Sequence, residues 1–320
     1  LNRERAGGRF MDNKIYYGKG NIALYRSYAR QLIGLNPIPE SAYTGQESGL
    51  FALDLTIEVF GSVFREAYTH GDNSQVVATA TMTNFALQKA REFPGATLEA
   101  FLRYLGGEFL AQYPQMEALR LTAKELPFLA APITNDAGKT AISSDRLFAP
   151  SHDSYGFASL EIERDGAGVK VTGLQSGRHD LKLFKLTGSA FANFVHDKFT
   201  TLPDKIDRPL YIFMDMGWRY RDVTDALSDN LAHYIASRQV YDHVQHTFHD
   251  FVSMSIQHLV YEMGVRLLRT FPQMSEIWFN AQNRLWDTAA EAAGEDAKVF
   301  MDPRPPYGMI GLRLTRDDLE

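Results

Sequence analysis

Hydrophobic and polar residues alternate over Phe51–Phe60: Phe51, Leu53, Leu55, Ile57 and Val59 fall on one side, Asp54, Thr56 and Glu58 on the other. A period of two matches the pleat of a strand, so this segment reads as a half-buried strand. Residues 13–32 alternate well enough for another, followed by a loop at Pro37, Pro39 and Gly45. The chain turns at His70-Gly71-Asp72-Asn73-Ser74, runs extended over 75–80, and enters a helix that reaches about Arg91. A second helix over 98–112 stops near Pro114. Strands follow at 157–164 and 168–172, joined as a hairpin through Asp165-Gly166, and then at 181–185 and 210–215. A long helical stretch covers 231–270 with one break near Phe251, and the last strands are 276–287 and 309–314.

The pattern repeats. Leu110-Ala111-Gln112-Tyr113-Pro114-Gln115-Met116 resembles Leu268-Arg269-Thr270-Phe271-Pro272-Gln273-Met274, at an offset of 158 residues. In both copies a glycine-containing amphipathic helix leads in, with Gly106 and Gly264, and an alternating strand follows. Two strands, two helices and two strands, twice over, predict an α+β chain of antiparallel sheet with helices on one face. Such sheets leave open edges, and closing them across subunits removes that liability, so an oligomer is expected.

Composition narrows the possibilities. The chain has 320 residues, 45% hydrophobic and 22% charged, which is the globular range and fits two ordinary domains. The net charge of -6 argues against a nucleic-acid binder, which would carry a basic stripe. With no cysteine, disulfides, thiolate metal sites and a cysteine nucleophile are excluded. No apolar run approaches a membrane span, and the basic first ten residues have no apolar core of a secretory signal. A cytoplasmic protein without membrane or nucleic-acid partners is expected. Residues 1–12 read as an extension or tag remnant, 13–150 as a first domain and 151–320 as a second.

The candidate chemistry is dispersed. Lys19 sits in Tyr17-Gly18-Lys19-Gly20, either as a partly desolvated base or as an ordinary turn lysine. Thr79 and Thr81 stand where an extended segment meets a helix. One of them can cap that helix, or the open amides and a hydroxyl there can receive an anion. Arg208, between Asp207 and Pro209, offers a donor fork, and Gln257 an amide. His243, His246 and His249 are three apart and drift around a helix, so they read as a partly exposed helix surface rather than a metal site. No dinucleotide-binding, P-loop or nucleophile-elbow motif is present.

Eight segments in order carry a resemblance. They include Tyr17-Gly18-Lys19-Gly20, Ile38-Pro39-Glu40-Ser41, Gly71-Asp72-Asn73-Ser74 with Val76-Val77-Ala78-Thr79, and Ser189-Ala190-Phe191. Further on come Phe199-Thr200-Thr201-Leu202-Pro203 with Arg208-Pro209-Leu210, Ser255-Ile256-Gln257-His258-Leu259, Gln282-Asn283-Arg284-Leu285-Trp286-Asp287 and Asp302-Pro303-Arg304-Pro305-Pro306-Tyr307-Gly308. Together they resemble the urate oxidase (uricase) family, and its Bacillus-type branch in particular. The resemblance implies the tunnelling fold (T-fold), two tandem antiparallel domains per chain, assembled as a homotetramer with active sites between subunits. It implies a cofactor-free, metal-free oxidation of urate by dioxygen and water to 5-hydroxyisourate and peroxide, or of a related heterocycle. Lys19 and Thr79 then form a proton-relay pair on one chain, with the backbone at Ala80 touching the ligand. Phe191 stacks on the purine, while Arg208, Gln257 and the Ile256 amide of a neighbouring chain grip its edge.

Three departures accompany the resemblance. The family usually reads Thr-Asp where this chain has Thr79-Ala80, and a usual lysine is Thr83. An Asn and a His are expected near the final strands. Arg284 matches the histidine, and either Gln282 or Asn283 the asparagine. With a pKa above about 12, an arginine cannot shuttle protons near neutral pH, though it can orient an anion. The alternatives are therefore a uricase-like oxidase of a different heterocycle and an inactive purine-binding homologue.

Overall fold

The computed structural model describes residues 15–46, 49–134, 141–151, 154–284, 286, 288–292, 297–303 and 305–319. The expected extension over 1–12, the start of the first strand at Asn13, and Leu285, Asp287 and Arg304 lie outside them. Two compact units divide the chain. The first takes in residues 1–36, 44–176 and 222–234, and the second 37–43, 177–221 and 235–320. The boundary expected after Pro150 lies inside the first unit.

The first unit contains β1 (Tyr17–Arg26), β2 (Phe51–Phe60), α1 (Arg65–Thr69), α2 (Thr79–Glu92), α3 (Leu98–Gln112), β3 (Ala118–Glu125), β4 (Phe128–Thr134), β5 (Ala141–Pro150), β6 (Tyr155–Asp165), the start of β7 (Gly168–Lys185) and α4 (Thr224–Leu227). Its strands run β1-β2-β3-β6-β7. The register stacks Val59 on Leu119 on Ile162, and Ile57 on Leu121 on Leu160. That apolar face buries Phe101, Leu105 and Phe109 of α3 completely, removing from water the side chains that dominate hydrophobic stabilisation. The opposite face is polar: Arg120 bridges Glu58 at 3.0 Å and Glu161 at 3.3 Å.

The second unit holds the rest of β7, then β8 (Leu210–Tyr220), α5 (Ser237–Asp250), α6 (Ile256–Thr270), β9 (Met274–Arg284), β10 (Thr288–Glu291), β11 (Lys298–Phe300) and β12 (Gly308–Thr315). Its strands run β7-β8-β9-β12, and Met216 on Phe279 on Leu312 repeats the apolar ladder.

The duplication expected from sequence extends through the packing. α2 and α5, and α3 and α6, start and end 158 residues apart. Thr97 and Ser255 cap α3 and α6 identically, each accepting the backbone N–H three residues on. Gly106 and Gly264 let the two helices approach their sheets, since a Cβ would lie 2.9 Å from Ile162 and 2.6 Å from Leu314. Arg164 reaches the carbonyls of Leu110 and Met116, and Arg316 those of Leu268 and Met274.

Some expectations change. The strands at 168–172 and 181–185 are one strand, β7. Helix 231–270 is α5 and α6, parted at Phe251 as expected, but with only a short 3-10 turn at Leu231–His233 before Ser237. Residues 75–78 form no strand. His243 is not on a surface: it is 1% exposed, with Nε2 3.0 Å from Thr270 Oγ1, and burial pulls its pKa down. Among the described residues no cluster could hold a metal ion, and no helix is long and apolar enough to cross a membrane.

Candidate active site

In the first unit, Gly18 sets the course of β1. A Cβ there would fall 1.8 Å from the carbonyl oxygen of Ile57, so only glycine lets β1 lie this close to β2. Lys19 follows, exposed, paired with Ile57 just before a bulge that ends at Ile22. Asn21 supplies the left-handed backbone at that bulge, with φ 55. Tyr17 Oη accepts the Val77 N–H at 3.1 Å, and burial raises the phenol's pKa. This bond ties β1 to the approach of α2. Lys19 and Thr79 each stand two residues beyond it.

The cap of α2 is Ala78, not a threonine, and no side chain accepts from its first turn. Thr79 is the first helical residue, half-buried, and Ala80 beside it is exposed. The capping reading of Thr79 and Thr81 therefore gives way: the first amides are left for something else.

In the second unit, three backbone links gather four of the expected residues. Ser189 pairs with Ser253, Phe191 pairs with Lys205, and the Arg208 N–H donates to Ser189 at 2.8 Å. Ser253 lies just ahead of α6, whose cap Ser255 takes up the His258 N–H at 3.1 Å. The amides of Ile256 and Gln257 thus open the helix without a side-chain acceptor, and Gln257 is exposed. The Arg208 guanidinium lies over the Phe191 ring at 5.7 Å. It is half-buried, its Nε is buried with no partner among the described residues, and burial lowers its pKa. A desolvated guanidinium with a free donor beside an aromatic face and an open helix N-terminus suits a flat anion.

Asp207 holds this corner. Its carboxylate accepts from the Thr187 hydroxyl and from the Gly188 N–H at 2.7 Å, and the Thr187 bond chiefly depresses its pKa.

β9 separates the remaining residues. Asn283 pairs with Ile212 and Gly308, on the face shared with Phe279 and Ala281, and that face packs on α6. Its Oδ1 is buried and unpartnered among the described residues. Gln282 and Arg284 lie on the opposite face. Arg284 Nη2 donates to Gln282 Oε1 at 2.6 Å, and its guanidinium lies 4.7 Å from the Phe213 ring and 4.0 Å from the Tyr307 ring. Sequence reasoning overlooked Asp207, and also Phe194, His196 and Asp204 beside Phe191. The spacing of Phe191, Phe194 and His196 was the available signal, but in a loop it carries no periodicity.

Two antiparallel sheet-and-helix units related by duplication define a protein of the T-fold class. The uricase family model matches residues 174–311. A uricase from Haloferax volcanii is 40% identical over 95% of this chain and 99% of its own length. The uric acid degradation bifunctional protein PucL of Bacillus subtilis is 37% identical over 97% of this chain and 63% of its own length. Among solved structures, a uricase from Bacillus fastidious superposes with a TM-score of 0.92 at 40% identity, covering 96% of this chain and 95% of that one. This chain belongs to the uricase family.

Proposed function

We propose that this chain oxidises urate with dioxygen and water, giving 5-hydroxyisourate and hydrogen peroxide, without a cofactor. The observation that carries this reading is Arg208: a half-buried guanidinium over Phe191 whose Nε has no partner among the described residues. In this reading Phe191 stacks on the purine. Arg208 and the Gln257 amide hold its pyrimidine edge, helped by the Ile256 N–H. Lys19 and Thr79 take the proton from the ring, and the Ala80 N–H supports the ligand. The aspartate charge usual at position 80 is missing, but a backbone N–H needs no particular side chain. The protein's part is to hold the ring flat, remove protons and shelter dioxygen, which are positioning and electrostatic contributions.

For the asparagine role we favour Asn283, whose buried Oδ1 is unpartnered among the described residues. Gln282 and Arg284 lie on the other sheet face, where Arg284 Nη2 donates to Gln282 Oε1 and the guanidinium lies over Phe213 and Tyr307, leaving its buried Nε without a partner among the described residues. The proton path then runs through Lys19 and Thr79 without Arg284.

The site is completed by a second copy, in a cytoplasmic homotetramer. Val195 (87% exposed), Phe199 (78%) and Ile206 (88%) lie in the chain segment that carries Phe191 and Arg208, an apolar rim suited to burial by a neighbour. Mixing the protein with urate, with and without air, tests the activity. Loss of the urate ultraviolet band with matched oxygen uptake is expected. Tight urate binding without oxygen consumption would leave an inactive purine binder instead.

A further inference from the structure

Phe191 does not stand alone. Its ring stacks on Phe194, with centroids 4.8 Å apart and planes 14° from parallel, and Phe194 stacks on His196 at 4.4 Å and 17°. The far end of the column is clasped, since His196 Nε2 lies 3.1 Å from Asp204 Oδ1. The near end is fixed by backbone. Phe191 and Lys205 exchange both hydrogen bonds at 2.8 Å, which places Asp204 next to the residue that anchors Phe191. Between the first two rings, Asn193 takes a left-handed conformation, φ 59, and bends the chain so that residues three apart stack outside any helix. The tip is closed by Asp197, whose N–H donates to Thr200 Oγ1 at 2.9 Å and whose Oδ1 accepts the Phe199 N–H at 2.9 Å.

Most of this loop is exposed, so the rings are not ordered by burial in a core. A half-exposed phenylalanine without such support would sample several rotamers and would have to be ordered by its ligand, at the cost of lost side-chain entropy. Phe194 occupies one face of Phe191; a flat ring stacking on Phe191 would take the other, beside the Arg208 guanidinium 5.7 Å from the ring centroid. We propose that Phe194 and His196 are positioning residues that fix the plane of Phe191 before substrate arrives, and so set affinity for the heterocycle rather than the rate of its oxidation. This rests on the reading of Phe191 as the ring on which urate stacks.

The test is steady-state turnover of urate, together with anaerobic urate titration, on the full chain and three variants. An aromatic pair contributes about 0.5–1.5 kcal/mol beyond its buried area, so Phe194→Leu is expected to raise KM and the anaerobic Kd about tenfold, with kcat within about twofold. Phe194→Tyr, which keeps the stack, restores both constants. His196→Ala, at the exposed end and tolerant in folding, raises KM and Kd about threefold in the same direction. An unchanged KM and Kd in Phe194→Leu and His196→Ala would overturn the proposal. So would a fall in kcat at constant KM, or a defect that Phe194→Tyr does not repair. A wild-type chain that neither binds nor oxidises urate would instead overturn the substrate reading, and this inference with it.

Discussion

Arg284 donates from Nη2 to Gln282 Oε1 at 2.6 Å, and Asn283 between them faces the other side of the sheet. Adjacent residues of one strand therefore serve different surroundings. Arg284→Ala removes a cation held over two rings and is expected to cost about 1–2 kcal/mol of stability, while more than half of the urate turnover remains. Asn283→Ala is expected to leave the melting temperature within a few degrees and to lower kcat at least about tenfold, the usual scale for losing one polar contact to reacting groups. Thermal melts and oxygen uptake on both variants check this. A stable but inactive Arg284→Ala protein would return Arg284 to the proton path.

Arg208 presents a planar fork over Phe191. A lysine would keep the charge and lose the two parallel donors. Arg208→Lys is therefore expected to lower kcat/KM for urate by about a hundredfold, corresponding to a bidentate contact of about 2–3 kcal/mol. Recovery of most activity in Arg208→Lys would mean that charge alone suffices, and the edge-gripping role would be lost.

Asp207 gives a pH dependence of definite sign. Its carboxyl pKa is depressed in the fold by the Thr187 hydroxyl, with the Gly188 N–H assisting against burial. A depressed pKa means that the unfolded chain binds the proton more readily. The contribution is present above the unfolded value, about 3.9, and disappears as pH falls through the folded value. Asp207→Asn is expected to melt lower than wild type near neutrality, with the gap closing as the pH drops below about 4. Melting curves across that range read it directly, and a gap that widened in acid would contradict the assignment.

Lys19→Ala is expected to lower kcat for urate at least about a thousandfold, the upper range for losing a general base, while anaerobic urate binding stays within about threefold. Stopped-flow mixing separates the two steps. Full activity in this variant would remove Lys19 from the chemistry.

The parts of the fold legible in the sequence were those with a one-sided apolar stripe. β2 and α3 occupy the segments that their periodicity predicts, because each turns a row of fully buried side chains to the core, Leu53, Leu55, Ile57 and Val59 from β2 and Phe101, Leu102, Leu105 and Phe109 from α3. β7 reads as two strands in the sequence because Gly173, Gln175 and Gly177 interrupt its apolar pattern at the passage from one unit to the other. The β4–β5 hairpin escaped notice because its residues are nearly all exposed or half-exposed and carry no alternation. The triplet spacing of His243, His246 and His249 masks the alignment of His243 with Val240, Val244 and Thr247 on the buried side of α5. The site was legible mainly as a resemblance. Nothing in local pattern says that Ser189 pairs with Ser253 and thereby brings Arg208 near the start of α6.

Gly18 links fold to chemistry at the other half of the proposed site. A methyl group on Gly18 would meet the Ile57 carbonyl at 1.8 Å, a backbone atom that cannot rotate away, whereas one on Gly20 would meet only Thr56 Oγ1 at 3.5 Å, an ordinary contact. Gly18→Ala must therefore push β1 off β2 and carry Lys19 with it, at a cost of about 1–3 kcal/mol for overpacking. Gly20→Ala should be nearly neutral in stability. Because the strain falls on the residue preceding Lys19, Gly18→Ala is expected to lose kcat well beyond what its lower melting temperature accounts for, even at 10–15 °C, where the fraction folded is restored. Equal melting temperatures and equal kcat in the two alanine variants would show that β1 tolerates the displacement, and that the close approach at Gly18 does not govern where Lys19 stands.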